Sequence, residues 1–408
     1  MAEDKVAPPL LIEEGDIVLP DRLIRKGALL VVDGKITAVG SADRVRADLP
    51  AGCTRIRAEG LLVCPSLWEV HIHGCGGVSM EGMTGDSLAQ MGRFLAARGV
   101  GAFLPTAVAN ESMLAGLGSA LETAGDLPDL RGRALGIHVE GPFVAPVRKG
   151  GIPADLIREP SIEYLQTLAD IAKRRLRVMT FAPELPGASE LFDAIVSLGI
   201  LPSLGHSDAR FSDLDAYENI TPLGVTHLFN GMSGISHKDP GLAQWAILNK
   251  TVFTELNCDG THVHDAAVKL ALRIRPWQRI ILISDAFPPA GLEDGKMQDL
   301  TVYGKHVVPR GGGVYYAESG VLVGSRMLVS TGVSRLISLF GVPLPWAVAM
   351  ASLNPARHLG FLEKGALLPG YDADVAIFSR DFGRCSFLAW EGRTIYQTEG
   401  LPEKQLRS

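Results

Sequence analysis

The sequence predicts an α/β fold, a (β/α)8 TIM-type barrel with a small β domain formed from both chain ends. Three observations predict it. Apolar runs alternate with amphipathic helical patterns through the middle of the chain, β-type segments gather at the two ends, and ligand-type polar residues recur where successive apolar runs stop.

The first sixty residues read as β, with short apolar runs at Ile17–Leu19, Ala28–Val32 and Lys35–Val39. Asp33-Gly34 between the last two is a strong hairpin signal. The other end has the same character: Ala373–Ser379, Ser386–Glu391 and, after a Glu-Gly turn, Arg393–Gln397. Two β ends flanking a long middle predict that the ends pair with each other. In the middle, Arg133–Glu140, Arg177–Glu184, Ile200–His206, Gly224–Asn230, Val252–Asp259 and Arg279–Asp285 read as strands between helical patterns. Ser87–Arg98 puts Leu88, Met91, Phe94 and Leu95 on one face and stops at Gly99, and Ser189–Leu198 precedes Gly199. Nearly continuous apolar strands alternating with helices predict a parallel sheet covered by helices. About eight such units fit between Leu62 and Gly360, which favours a closed barrel over an open sheet. Pro288–Gly320 is Gly-rich and breaks the rhythm, and reads as an insertion on the catalytic face.

Composition bounds the function. The chain has 408 residues, 47% hydrophobic and 21% charged, an ordinary globular balance. A formal net charge of −6 leaves no electrostatic footprint for nucleic acid or an anionic membrane, and no apolar run approaches the roughly 20 residues of a span. The five cysteines lack CxxC spacing and are odd in number, which argues for free thiols in a reducing compartment. The acidic N-terminus lacks the basic region and apolar core of a signal peptide, so a cytoplasmic location is expected.

In a barrel the residues that follow each strand converge on one rim. His71 and His73 end the run Leu61–Val70, Glu140 ends Ala134–Val139, His206 ends Ile200–Gly205, His227 closes Gly224–Thr226 and Asp285 closes Ile280–Ser284. Any one of these has an ordinary reading as a hydrogen-bonded histidine, a capping carboxylate or half of an ion pair. Five strand ends delivering imidazole or carboxylate to one rim outweigh those readings together. Such donors suit zinc, and also iron or manganese, with a coordination position left for water. His71 and His73 have strand spacing, so their side chains share a face and can bind one metal. His306 and His358 fall outside the pattern and read as structural.

These residues sit in runs that resemble the N-acetylglucosamine-6-phosphate deacetylases of the amidohydrolase superfamily. The runs are His71-Ile72-His73-Gly74, Phe103-Leu104-Pro105-Thr106, Gly136-Ile137-His138-Val139-Glu140-Gly141-Pro142-Phe143, Ala182-Pro183-Glu184 and Gly205-His206-Ser207. They continue through Thr226-His227-Leu228-Phe229-Asn230-Gly231-Met232, Asp259-Gly260-Thr261-His262, Ser284-Asp285-Ala286, Ser352-Leu353-Asn354-Pro355-Ala356 and Gly370-Tyr371-Asp372-Ala373-Asp374. The resemblance implies a distorted barrel over residues 63–362, a β-sandwich from 1–62 and 363–408, and a homodimer. It implies Glu140, His206 and His227 as ligands of the main metal, with His71 and His73 available for a second, so one or two ions per subunit. It implies Asp285 as general base and acid, and His262 as the group that hydrogen-bonds the substrate carbonyl. Gly151, Asn230, Gly231, His237, Lys238, Leu322 and Val323, together with His262, are the substrate-binding positions it suggests. No lysine stands at a strand end to be carboxylated, which favours the deacetylase branch over dihydroorotase-like enzymes.

Two positions depart from the family pattern. Lys238 replaces the usual arginine before Asp-Pro-Gly, and Ile152 falls where a histidine is common. Lysine neutralises a phosphate without the bidentate fork of arginine. The expected reaction is therefore metal-dependent deacetylation of an amino sugar, with the 6-phosphate resting on weaker contacts. An N-acyl amino acid, an unphosphorylated amino sugar or another N-acyl compound is the alternative substrate, and a non-catalytic metal-binding homologue the third reading.

Overall fold

The computed structural model describes residues 8–47, 49–125, 127–296, 300–399, 401 and 403–405. The chain divides into two compact units. One comprises residues 1–68, 93–102 and 333–408, and the other residues 69–92 and 103–332.

In the first unit the two chain ends share one sheet, as the sequence predicts. Its strands run in the order Arg393–Gln397, Cys385–Trp390, Val375–Phe378, Leu62–Pro65, Leu10–Val18, Leu23–Val32 and Lys35–Ser41. The junction between the ends is the antiparallel pair Val375–Phe378 with Leu62–Pro65, in register from Val375 opposite Pro65 to Phe378 opposite Leu62. Asp33 and Gly34 both adopt positive φ (51° and 76°), the conformation that a two-residue turn between right-twisted strands requires. Ile12, Ile17, Leu29, Val31, Val63, Val375, Ile377 and Phe387 pack into one buried cluster, so residues from both ends share a core.

The second arrangement is an eight-stranded parallel sheet. Numbered along the chain, its strands are β1 (Leu67–Ile72), β2 (Val100–Val108), β3 (Ile137–Glu140), β4 (Leu176–Phe181), β5 (Leu201–Leu204), β6 (Gly224–Val225), β7 (Phe253–Asn257) and β8 (Ile280–Ile283). Each pairs with its sequence neighbour, giving the order β8 to β1. The circle closes just past β8. Ile72 bridges Ala286 in parallel, with the Asp285 N–H donating to the His71 carbonyl at 3.0 Å and the His73 N–H to that of Ala286 at 2.8 Å. β2, β3, β7 and β8 are buried along their whole length; β2 and β8 accordingly carry apolar runs, while β3 and β7 hold His138, Glu140 and Glu255 among their buried residues. Helices Gly85–Ala96 and Ala188–Ser197 fall within two residues of their expected bounds.

Within the Gly-rich insertion, the described residues from 300 on carry β structure, which continues past Gly320. It forms a four-stranded antiparallel sheet of β9 (Leu300–Val302), β10 (Lys305–Arg310), β11 (Gly313–Tyr316) and β12 (Leu322–Ser325). Gly304, Gly311 and Gly320 serve its turns. Tyr303 and Gly304 both have positive φ (52° and 71°) and join β9 to β10, while Val302, Val307, Val314 and Tyr316 bury a small core against Phe287. Ala286 bridges Ser325 of β12, so this sheet continues from the stretch that closes the barrel.

Candidate active site

The polar residues of the site leave their strands sharply. His206, His227 and Asp285, just past β5, β6 and β8, have φ of 48°, 28° and 52°. Left-handed backbone is sparsely populated for residues with a Cβ and costs about 1–3 kcal/mol each, so surrounding bonds must hold it. Asp285 is held by its own N–H on the His71 carbonyl and by the Ser325 N–H on its carbonyl, at 3.0 and 2.8 Å. Glycine accommodates the close approach around His206: a Cβ on Gly231 would stand 2.7 Å from Nδ1, at φ 53°.

Glu140, His206 and His227 form one buried group. Glu140 Oε1 lies 2.9 Å from His206 Nε2 and 2.8 Å from His227 Nε2, and the two Nε2 atoms are 3.1 Å apart. His206 Nδ1 donates to the Arg148 carbonyl at 2.8 Å, so in the neutral ring the Nε2 lone pair faces into the group. Two nitrogens and a carboxylate oxygen crowded around one point, away from water, are a donor set that suits a divalent cation. Burial opposes ionisation of Glu140, but the charge and hydrogen bond of His206 and the bonds from His227 and His73 outweigh it and hold its carboxyl well below the usual range.

His71, His73 and Asp285 form a second group beside the first. Asp285 Oδ1 lies 3.7 Å from His71 Nε2 and 3.5 Å from His73 Nε2, and Glu140 Oε2 is 3.4 Å from His73 Nε2. His71 Nε2 is buried with no hydrogen-bond partner, the state expected of an atom shaped to meet a cation. On the other side of Asp285, Oδ2 lies 3.3 Å from His262 Nε2, and His262 Nδ1 donates to Asp259 Oδ2 at 2.7 Å. Burial disfavours the His262 cation, yet its bonds to Asp259 and Asp285 push the ring up to about 10. For Asp285 burial works against ionisation, and the charge of His71 and the bond from His262 overcome it to keep the carboxylate ionised.

One cavity takes in much of what the sequence singles out. His73, Glu140, Gly151, His206, His227, Asn230, Gly231, His262, Asp285, Leu322 and Val323 line it, joined by Val108, Ile152, Phe287 and Tyr303. His71 is wholly buried behind it. His237 and Lys238 do not line it: both are exposed, in a loop where Asp239 pairs with Arg210. Ile152 is buried with Val108 and Val144 in an apolar patch.

Sequence reasoning passed over three neighbours of this site. His138 and Glu255 join His71 in a third buried group of potential ligands. His138 precedes Glu140 by two residues on β3 and so shares its face, a signal that was legible. Glu255 is a lone carboxylate inside an apolar strand, also legible as a group needing a partner. Tyr303 reaches the cavity from the turn of the inserted sheet, 3.5 Å from His73 Nδ1, and nothing local announces it.

Residues 27–51 match the profile described as Imidazolonepropionase-like composite domain, bacteria. The chain is 35% identical over 370 residues to the N-acetylgalactosamine-6-phosphate deacetylase of Escherichia coli O157:H7, covering 90% of this chain and 92% of that protein. It is 32% identical over 396 residues to the N-acetylglucosamine-6-phosphate deacetylase of Vibrio furnissii, covering 95% and 96%. Among solved structures, the N-acetylglucosamine-6-phosphate deacetylase of Pasteurella multocida superposes with a TM-score of 0.85 at 25% identity, over 95% of this chain and 99% of that one. With one barrel, one strand-end constellation and these relatives along nearly its whole length, the chain belongs to the N-acetylglucosamine-6-phosphate deacetylase family of the amidohydrolase superfamily.

Proposed function

We propose that this protein hydrolyses the acetamide of N-acetylglucosamine-6-phosphate, or of a close N-acetylhexosamine phosphate, to the amino-sugar phosphate and acetate. The observation that carries the reading is a single cavity in which Asp285 and His262 stand with Glu140, His206 and His227, in a chain of this family. Glu140, His206 and His227 would hold a divalent ion, with His71 and His73 in reach of a second. Such an ion polarises a carbonyl and lowers the pKa of water from ~15.7 to about 7. Asp285, ionised, takes the proton of the attacking water and returns it to the departing amine nitrogen. His262, protonated and anchored through Nδ1 by Asp259, offers its Nε2–H to the acetyl oxygen as negative charge develops there.

Zinc is the ion we favour, with iron or manganese as alternatives, because imidazole and carboxylate donors serve all three. The proposal extends to a cytoplasmic homodimer. The five buried free cysteines agree with a reducing compartment, and among the described residues no helix is long and apolar enough to cross a membrane.

A second reading, deacylation of an unphosphorylated amino sugar or another N-acyl compound, is favoured by one observation. Among the described residues lining the cavity there is no lysine or arginine, and Lys238 lies on an exposed loop. Amine release from N-acetylglucosamine-6-phosphate, its galacto epimer and unphosphorylated N-acetylglucosamine separates the readings, using zinc-loaded and chelated protein. Metal-dependent turnover confined to the phosphorylated sugars supports the first, and metal-bound protein inert on all three sugars defeats it.

A further inference from the structure

Glu255 sits at the centre of β7, nine-tenths buried and outside the cavity lining. One of its oxygens, Oε2, accepts twice: from His71 Nδ1 at 2.9 Å and from the backbone N–H of His227 at 3.1 Å. Its backbone carbonyl accepts from the Leu228 N–H at 2.9 Å. A carboxylate only accepts, so the ring proton of neutral His71 stands on Nδ1 and the lone pair on Nε2. That Nε2 has no hydrogen-bond partner and faces Glu140 Oε1 and Asp285 Oδ1, each 3.7 Å away. The same oxygen grips His227 where its backbone is left-handed. His71 belongs to one ligand group and His227 to the other, so a single buried atom reaches both.

We propose that Glu255 is a positioning residue for a two-ion centre, orienting the His71 ring for one divalent ion and the His227 main chain for the other. The inference rests on the metal reading given above, two ions included, and adds to it the residue that ties the two positions together. Carboxylates behind ligating histidines fix tautomer and ring orientation, and their loss typically weakens metal binding by about 10–100-fold.

The test titrates metal-free wild type, Glu255→Ala, Glu255→Gln and His71→Ala with zinc and cobalt(II). Ions are counted by elemental analysis, and affinities come from competition with a chelator. The expected wild type holds two ions. His71→Ala weakens one of them. Glu255→Ala weakens both by about 10–100-fold. Glu255→Gln, which keeps an oxygen acceptor, loses less. Wild-type affinity for either ion in Glu255→Ala overturns the inference. So does a wild type that holds a single ion, which leaves the deacetylase reading standing, or a third ion lost in Glu255→Ala, which would make Glu255 a ligand alongside His71 and His138. A wild type that binds no ion defeats the metal reading itself, and this inference with it. Should Glu255→Ala not fold, long-range proton–nitrogen NMR of the histidine rings in metal-loaded wild type decides. His71, assigned by its absence in His71→Ala, should carry its proton on Nδ1, and a proton on Nε2 rejects the proposal.

Discussion

Asp285 joins a left-handed backbone, an ionised carboxylate and two imidazole neighbours within 3.5 Å. Its assignment as proton carrier predicts a specific separation of effects. Asp285→Asn keeps the size but cannot take a proton, so kcat should fall by about 10²–10⁴-fold while bound metal stays at the wild-type level. Elemental analysis beside steady-state rates checks this. Metal lost along with activity would move Asp285 into the coordination sphere. Gly231 gives a residue-scale test of packing. A methyl there would press on His206 Nδ1 and force a positive φ on alanine, so Gly231→Ala should weaken the ion held with Glu140 and His227. A chelator-competition assay that finds wild-type affinity in this variant would refute that account.

The inserted sheet, expected on the catalytic face, is the element whose strands the sequence did not announce. β12 lies against the stretch that closes the barrel, where Ser325 donates its N–H to the Asp285 carbonyl, and Gly324 leaves room for the Phe287 ring. A Cβ at Gly324 would overlap that ring and come within 2.9 Å of the Asp285 carbonyl oxygen. Phe287 in turn packs on His73, with ring centroids 4.9 Å apart. Overpacking of this kind typically costs about 1–3 kcal/mol. Gly324→Ala should therefore lower both the thermal midpoint and kcat, since the displaced group carries the base. A variant that loses stability and keeps full turnover would show that β12 supports the barrel without aiming Asp285.

For the molecule as a whole, the ligand groups concentrate charge on buried side chains, where screening is weak. A bound ion should stabilise the fold by mass action, about 2.7 kcal/mol at a free concentration of 100 times Kd, so chelation should lower the melting temperature measurably. The metal-free protein should also depend on pH. Burial disfavours the His71 and His262 cations, but the charge of Glu255 acting on His71 and the bond that His262 donates to Asp259 raise both rings from 6.5 to about 10. Between those values the folded chain binds more protons than the unfolded one. Their contribution is therefore complete below about 6.5 and is lost as the pH rises towards 10. Burial raises Glu69 from 4.5 to about 8, which gives a decline of the same sign at lower pH. The melting temperature of chelated protein should thus fall from pH 6.5 to 10, and His262→Gln should flatten part of the slope. An unchanged slope in that variant would mean that His262 is not the cation inferred here.

By itself the sequence determined the alternation of apolar strands and helices, the Asp33-Gly34 turn, and the delivery of histidine and carboxylate to successive strand ends. These are local properties. Strand periodicity, turn conformation and the exit of a strand into its loop are set by residues a few positions apart. The residues from His71 through Asp285 were legible for that reason, because a barrel turns strand-end position into spatial proximity. Three things only the tertiary structure decided. Glu255 and His138 stand out by their positions, but that both meet the ring of His71, on another strand, is set by the barrel. Gly304, Gly311 and Gly320 lie in turns between strands because those strands have partners to pair with. Lys238 and Ile152 part company, one exposed on a loop and the other buried in an apolar patch of the cavity wall, although sequence comparison had linked both to the phosphate. Which side chains meet across strands, and which loops turn towards a cavity, depends on the summed packing of the barrel, and no window along the chain contains that information.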